Sequence, residues 1–196
     1  MTGDPRSDAE LLTALRADAE LIGELYDRHA AAVSRFLVRR VGTAAAEDLL
    51  SEVFVAALGA RRRVFPHESG SALPWLYGIA TNTVRVHVRR LRSHGSALPD
   101  AGMDWDAVDA RLDAEAQRVH LRAVVTALSA KERDVLLLVA WEGLTVTEAA
   151  EALGMTKVAA RTRLHRARQR AQVVLANLGS PTSSVIGDLQ PEGEWR

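Results

Sequence analysis

Three clusters of arginine are the residues of this 196-residue chain whose type and spacing offer a definite chemistry. Arg61, Arg62 and Arg63 are consecutive. Arg85, Arg89, Arg90 and Arg92 follow in a stretch with no acid between Glu68 and Asp100. Lys157, Arg161, Arg163, Arg166, Arg168 and Arg170 lie in another, acid-free from Glu151 to Asp188. Guanidinium groups grip phosphate and, in the major groove, pair bidentately with guanine. Between the second and third clusters lies an acidic stretch, Asp100, Asp104, Asp106, Asp109, Asp113 and Glu115, interrupted only by Arg111. Lys+Arg and Asp+Glu number 25 each, so a net charge of zero is a sum of opposite blocks. Such blocks mark interaction surfaces or solvated linkers rather than cores.

Other chemistries are absent from the sequence. There is no Cys, which excludes disulfides, thiolate zinc sites, iron–sulfur clusters and a cysteine nucleophile. No Gly-x-Gly pair and no Gly-Lys-Ser/Thr occurs, so the dinucleotide fingerprint and the phosphate loop are missing. His29, His67, His87, His94, His120 and His165 are scattered without ligand spacing. No cofactor, no metal and no enzymatic activity are expected. The longest apolar run, Val135 to Trp141, falls short of the roughly 20 residues of a membrane helix. The first residues carry Asp4, Asp8 and Glu10 and no apolar stretch, unlike a signal peptide. The expectation is a cytoplasmic protein without membrane insertion.

Helices must position the arginines. Apolar residues make up 47% of the chain and aromatics only 5%, so the cores are aliphatic. Ala, Leu, Arg and Glu dominate, and strict alternation is rare, which predicts an all-α fold. Helices are predicted near 8–22, 24–41, 44–60 and 72–92. Leu121, Val124, Val125 and Leu128 form one helical face. Ser129 with Glu132, and Thr145 with Glu148, are capping-box patterns that open helices ending at Gly143 and Gly154. A last helix runs from about Thr156 to Leu178. Turn-formers and acids over 94–106 predict a flexible linker. It separates a domain at 8–93 from one at 107–177, and 178–196 reads as a disordered tail.

Residues 145–171 read as a helix-turn-helix. Ala150 stands four residues before Gly154 and lets two helices cross closely. Ala160, Leu164, Ala167 and Ala171 make a buried stripe; Arg161, Thr162, His165, Arg166 and Gln169 occupy the other side. That is the construction of a recognition helix in the major groove. A merely solvated Arg-rich helix is the competing reading.

At this point the chain resembles a known family, the extracytoplasmic-function sigma factors of RNA polymerase. Gly143-Leu144-Thr145-Val146-Thr147-Glu148-Ala149-Ala150-Glu151-Ala152-Leu153-Gly154 with Arg161-Thr162-Arg163-Leu164-His165-Arg166-Ala167-Arg168 is similar to the family's promoter-recognising C-terminal domain. Leu25-Tyr26-Asp27-Arg28-His29 resembles the start of its N-terminal domain. Ala46-Glu47-Asp48-Leu49-Leu50-Ser51-Glu52-Val53-Phe54-Val55 resembles its polymerase-binding helix. Pro74-Trp75-Leu76-Tyr77-Gly78-Ile79-Ala80-Thr81-Asn82, followed by Arg89-Arg90, resembles its minus-ten helix. The motifs keep the family's order over about 10–176. Departures are Val158-Ala159-Ala160 where Gly-Thr-Val is common, Val86 where Asp is common, and Thr81 where Arg is common.

The resemblance implies two helical domains, region 2-like and region 4-like, on a flexible acidic linker. It implies a factor that binds core polymerase, directs it to promoters and helps open the minus-ten DNA. Glu47, Asp48, Leu49, Glu52, Val53 and Phe54 are then the polymerase-binding residues, docking on the β′ clamp helices, with the β flap as a second contact. The candidates for minus-ten DNA are Arg61, Arg62, Arg63, Trp75, Asn82, Arg85, Arg89 and Arg90. Those for the minus-thirty-five element are Lys157, Arg161, Thr162, Arg163, His165, Arg166, Gln169 and Arg170. Family members commonly have an anti-sigma partner. Bland readings stand beside these: Trp75 as a core anchor, Asn82 as a local cap, the acidic face as solvated, the linker as a spacer. The alternative function is a stand-alone helix-turn-helix regulator that binds duplex DNA without polymerase.

Overall fold

A computed structural model describes residues 6–64, 67, 69–93 and 115–178. The chain divides into two compact units, Met1–Asp104 and Trp105–Arg196. The elements among the described residues are α-helices and two short 3-10 turns. The acidic linker expected over 94–106 and, apart from Leu178, the tail expected over 178–196 lie outside the described residues.

In the first unit, α1 (Asp8–Leu15) opens on a capping box, Ser7 with Glu10, and buries Leu11, Leu12 and Leu15 completely. Burial of each leucine contributes about 1.5–3 kcal/mol. The single helix predicted near 8–22 is a misreading. The α-helix stops at Leu15, and Asp18 caps a 3-10 turn, Ala19–Leu21, by accepting from Glu20 N. α2 (Ile22–Val41) follows and ends at Gly42, whose φ of 82° lies in the region that favours glycine. α3 (Thr43–Ala60) runs into the 3-10 turn Arg61–Arg63. α4 (Leu73–Ser93) completes the unit.

α2, α3 and α4 pack on one another, and α1 packs on α2 and against the Arg61–Arg63 turn. Leu25, Val33, Phe36 and Leu37 of α2 meet Ala46, Leu49, Val53, Phe54 and Ala57 of α3 and Leu76, Tyr77, Ala80 and Val84 of α4 in the core. The few aromatics cluster: Phe36 and Tyr77 have centroids 5.2 Å apart, and the Arg40 guanidinium sits 4.8 Å above the Phe36 ring.

In the second unit, α5 (Glu115–Ala127), α6 (Ala130–Ala140), α7 (Val146–Ala152) and α8 (Lys157–Asn177) surround an aliphatic core. α8 is its spine, packed on α5, α6 and α7. Its inward stripe is Ala160, Leu164, Ala167, Ala171 and Leu175, all buried. Three alanines in that stripe let the neighbouring helices approach closely. Both capping boxes read from the sequence form. Ser129 N donates to Glu132 Oε2 at 3.0 Å, and Thr145 N donates to Glu148 Oε2 at 2.7 Å.

Candidate nucleic-acid interface

The turn between α7 and α8 sets the angle of the basic helix. Gly154 has φ 61°, Gly154 N donates to Glu151 O at 3.0 Å, and Met155 N donates to Ala150 O at 2.9 Å. This pair of bonds is a Schellman closure, which uses a left-handed residue to satisfy the last carbonyls of a helix. Thr156 then caps α8, its hydroxyl accepting from Ala159 N at 3.2 Å. The C-cap Leu153 and the N-cap Thr156 are thus joined through two residues, Gly154 and Met155.

Of the expected minus-thirty-five residues, Lys157, Arg161, Thr162, His165, Arg166 and Gln169 are exposed on the face away from the core. The Thr162 hydroxyl donates to Val158 O at 3.0 Å, which fixes the side chain and leaves its oxygen to accept. Arg163 is half-buried, with Nη1 2.9 Å from Met155 Sδ, and lies at the edge of that face.

Arg170 is engaged differently. Its guanidinium pairs with Glu132 of α6, whose side chain is 7% exposed. Burial pushes the Glu132 carboxyl up, but the hydrogen bonds from Ser129 and the charges of Arg170 and Arg166 outweigh it and hold the group below its usual range. Arg170 therefore joins two helices, because a nearly buried carboxylate needs a cation there more than a phosphate does. Val158, 73% exposed in the first turn of α8, joins the outward face; the sequence marked it only as a departure from the family's Gly-Thr-Val.

α4 carries the second basic face. Trp75, Asn82 and Arg89 recur every seven residues, so they share one side of the helix, with Arg85 one turn from Asn82. Asn82, Arg85, Arg89 and Arg90 are exposed, and Trp75 is half-buried. In the adjoining turn, Arg62 and Arg63 are exposed, while half-buried Arg61 donates to Leu58 O at 3.0 Å and closes the end of α3.

On α3, Glu47, Asp48, Ser51, Glu52 and Val55 are among the exposed residues, with Thr43, Ala44, Ala56 and Gly59. Leu49, Val53 and Phe54 correct the sequence reading, which counted them among polymerase contacts. They point into the unit's own core, because the same apolar periodicity serves internal packing and a partner alike. Val55, 70% exposed, is the large apolar residue of α3 that faces outward beside the acids. Tyr26 of α2, half-exposed, meets the Phe54 ring edge-on at 4.8 Å. Arg90 Nη1 lies 3.9 Å from Glu52 Oε1, a loose surface pair between the acidic face of α3 and the basic end of α4.

The N-terminal half of the first unit also holds a polar cluster that the sequence reading missed. Asp8 Oδ2 accepts from Ala72 N at 2.9 Å and lies 2.9 Å from His29 Nε2. Asp8 Oδ1 accepts from Arg28 at 3.3 Å, and Arg28 reaches Glu24 at 2.5 Å. The Ser7–Glu10 capping-box spacing was a signal for the start of this element; the long-range bond to Ala72 left none.

Comparison with known proteins gives this geometry a family. Residues 25–94 match the family model described as Sigma-70 region 2, and residues 118–170 match Sigma-70, region 4. The ECF RNA polymerase sigma factor SigD of Mycobacterium bovis is 31% identical over 175 residues, 84% of this chain and 82% of that protein. The chain belongs to the extracytoplasmic-function sigma factors. SigL of Mycobacterium tuberculosis, of the same family, is 28% identical over 174 residues, 87% of this chain and 98% of that protein. The solved structure of CnrH in complex with the cytosolic domain of CnrY shares the fold, with a TM-score of 0.58 and 22% identity over 88% of this chain and 99% of that one. This sigma factor is a transcription initiation factor: it binds core RNA polymerase and directs it to promoters. Among the described residues no helix is long and apolar enough to cross a membrane, and no group of His, Asp and Glu is placed to hold a metal ion.

Proposed function

We propose that this sigma factor divides its work among three faces. The outward acids of α3, Glu47, Asp48 and Glu52 with Val55 beside them, dock on the β′ clamp helices of core polymerase. The exposed side of α4, with Arg62 and Arg63, holds the opened non-template strand of the minus-ten element. Arg85, Arg89 and Arg90 follow phosphates there, while Trp75 and Asn82 meet bases. The outward face of α8 enters the major groove of the minus-thirty-five element, and the C-terminal unit takes the β flap as its second polymerase contact. The boundaries 8–93 and 107–177 delimit the two working domains, and the acidic residues over 94–106 connect them. The factor works in the cytoplasm, performs no catalysis of its own and is held off by an anti-sigma partner.

The observation that carries this reading is the segregation of charge. The outward face of α3 bears Glu47, Asp48 and Glu52 and no base, while the outward faces of α4 and α8 bear arginines and no acid. Asp48 and Glu52 are like charges one turn apart, which costs a few tenths of a kcal/mol in an isolated helix. A basic partner offsets that cost. Run-off transcription with core polymerase and genomic fragments tests the reading and recovers the promoter. Discrete transcripts that require both chain and core support it. Sequence-specific duplex binding without core, and no transcripts with it, would show a stand-alone regulator instead.

A further inference from the structure

We propose that Asp8 is a positioning residue for capture of minus-ten DNA, acting through Ala72, where the chain enters α4. The proposal rests on the assignment of minus-ten recognition to α4 and the Arg61–Arg63 turn. Its geometry is independent of that assignment.

Two described residues, Val64 and Ala72, flank the segment between the Arg61–Arg63 turn and α4, and both are held. At the first, Val64 is buried, and its N–H donates to Arg61 O at 3.4 Å. At the second, Ala72 is fully buried, and its carbonyl accepts the first bond of α4 from Leu76 N at 3.1 Å. The Ala72 N–H has its acceptor 64 residues away, in Asp8 Oδ2 at 2.9 Å. A buried N–H left without an acceptor is costly, so this bond decides where the chain enters α4.

Asp8 is itself held. His29 Nε2 is 2.9 Å from the same oxygen, and Arg28 of α2 donates to the other. Arg28 is braced by Glu24, which also receives Arg6 at 3.0 Å. Behind Asp8, the fully buried Leu11, Leu12 and Leu15 fasten α1 to the unit. α1 packs against the Arg61–Arg63 turn as well, so it underlies both ends of that segment. It also precedes the stretch matched by the region 2 model, which begins at residue 25. A cluster that includes none of the proposed DNA contacts thereby sets the start of the helix that carries Trp75, Asn82 and Arg89.

The test uses holoenzyme reconstituted from the full chain and core polymerase, on a promoter recovered by run-off transcription. Its probes are a fork template already open over the minus-ten element and a duplex carrying only the minus-thirty-five element. Asp8→Ala removes the acceptor for Ala72. Asp8→Asn keeps an oxygen that accepts from it. The expected result is a roughly tenfold loss of fork binding for Asp8→Ala and a loss of about twofold or less for Asp8→Asn. Core affinity and duplex binding stay within twofold of the parent for both. Amide exchange at Ala72 is expected to be slow in the parent and fast in Asp8→Ala. Fork binding unchanged in Asp8→Ala, equal losses in the two variants, loss of core affinity alongside fork binding, or slow exchange at Ala72 in Asp8→Ala each overturn the proposal. Failure of the underlying assignment looks different: Asn82→Ala and Arg89→Ala in the parent chain then leave fork binding intact.

Discussion

The Arg170 guanidinium of α8 is bonded to Glu132 in the first turn of α6, 38 residues away in sequence. Glu132 also closes the Ser129 capping box, with Ser129 Oγ at 2.6 Å. One carboxylate therefore ends one helix and fastens another. Arg170→Ala is expected to destabilise the C-terminal unit by about 1 kcal/mol, since the arginine is half-exposed and Glu132 keeps its Ser129 bonds. The slope of promoter binding against salt is expected to stay unchanged. Denaturant unfolding and a salt titration check the two halves. A slope reduced by about one unit would return Arg170 to the phosphate contacts.

Acid sensitivity follows from the same group and from Asp8. At Asp8, burial raises the carboxyl, but the bonds from Ala72, His29 and Arg28 prevail and hold it below its ordinary 3.8. Glu132 is likewise held below its ordinary 4.5. A carboxyl lowered by folding contributes stability that is complete above its unfolded value and is lost as pH falls through the folded one. The stability gap between the parent chain and Glu132→Gln is therefore expected to be constant above about pH 5.5 and to narrow as pH falls below 4.5. Urea unfolding at a series of pH values measures it. A gap that widens toward acid would contradict the assignment.

Reversing the acids of α3 tests the polymerase contact. Asp48→Arg combined with Glu52→Arg is expected to abolish core binding in a pull-down. Both residues are exposed, so helicity and thermal midpoint are expected to hold. Retained core affinity would remove this face from the interface.

Arg161→Ala probes base reading by α8. A bidentate contact to guanine is worth about 1–3 kcal/mol and is lost at one position only. The expected outcome is weaker binding to the matched minus-thirty-five duplex, with one position relaxed and little change on scrambled DNA. Equal losses on both templates would make Arg161 a phosphate contact.

Gly154→Ala is expected to cost about 1 kcal/mol in stability, because φ 61° is strained for a residue with a Cβ. A Cβ at this position meets nothing within 4 Å, so the cost is conformational rather than steric. Gly154→Asn, which tolerates this conformation better, is expected to recover part of the loss in chemical denaturation. Equal instability of Ala and Asn would point to a hidden clash.

Local chemistry was legible in the sequence, and distant pairing was not. Ser129 with Glu132, Thr145 with Glu148, and Gly154 announce their helix ends because each partner lies within a few residues. The break after Leu15 carries no Gly or Pro; its signal was Asp18 as the cap of the next turn, which a continuous run of good helix formers masks. Leu49, Val53 and Phe54 show the limit of periodicity. A regular apolar stripe says that a face is covered, not whether the cover is the chain's own α2 or another protein. Arg170 and Asp8 show the limit of local reading, since Glu132 and the backbone N–H of Ala72 stand 38 and 64 residues away from them. The outward arginines of α8 were readable because the inward Ala160, Leu164, Ala167 and Ala171 fix the helix phase.

That phase has a practical reach. Apart from Arg170, which is half-exposed and also fastens α8 to α6, the buried stripe that holds α8 in place is separate from the face it offers to solvent, and Thr156 and the Gly154 turn hold its first turn. With α8 reading the minus-thirty-five element as proposed, exchanging Val158, Arg161, Thr162, His165 and Gln169 for those of another family member is expected to redirect core polymerase to new promoters and to leave the fold of the unit unchanged.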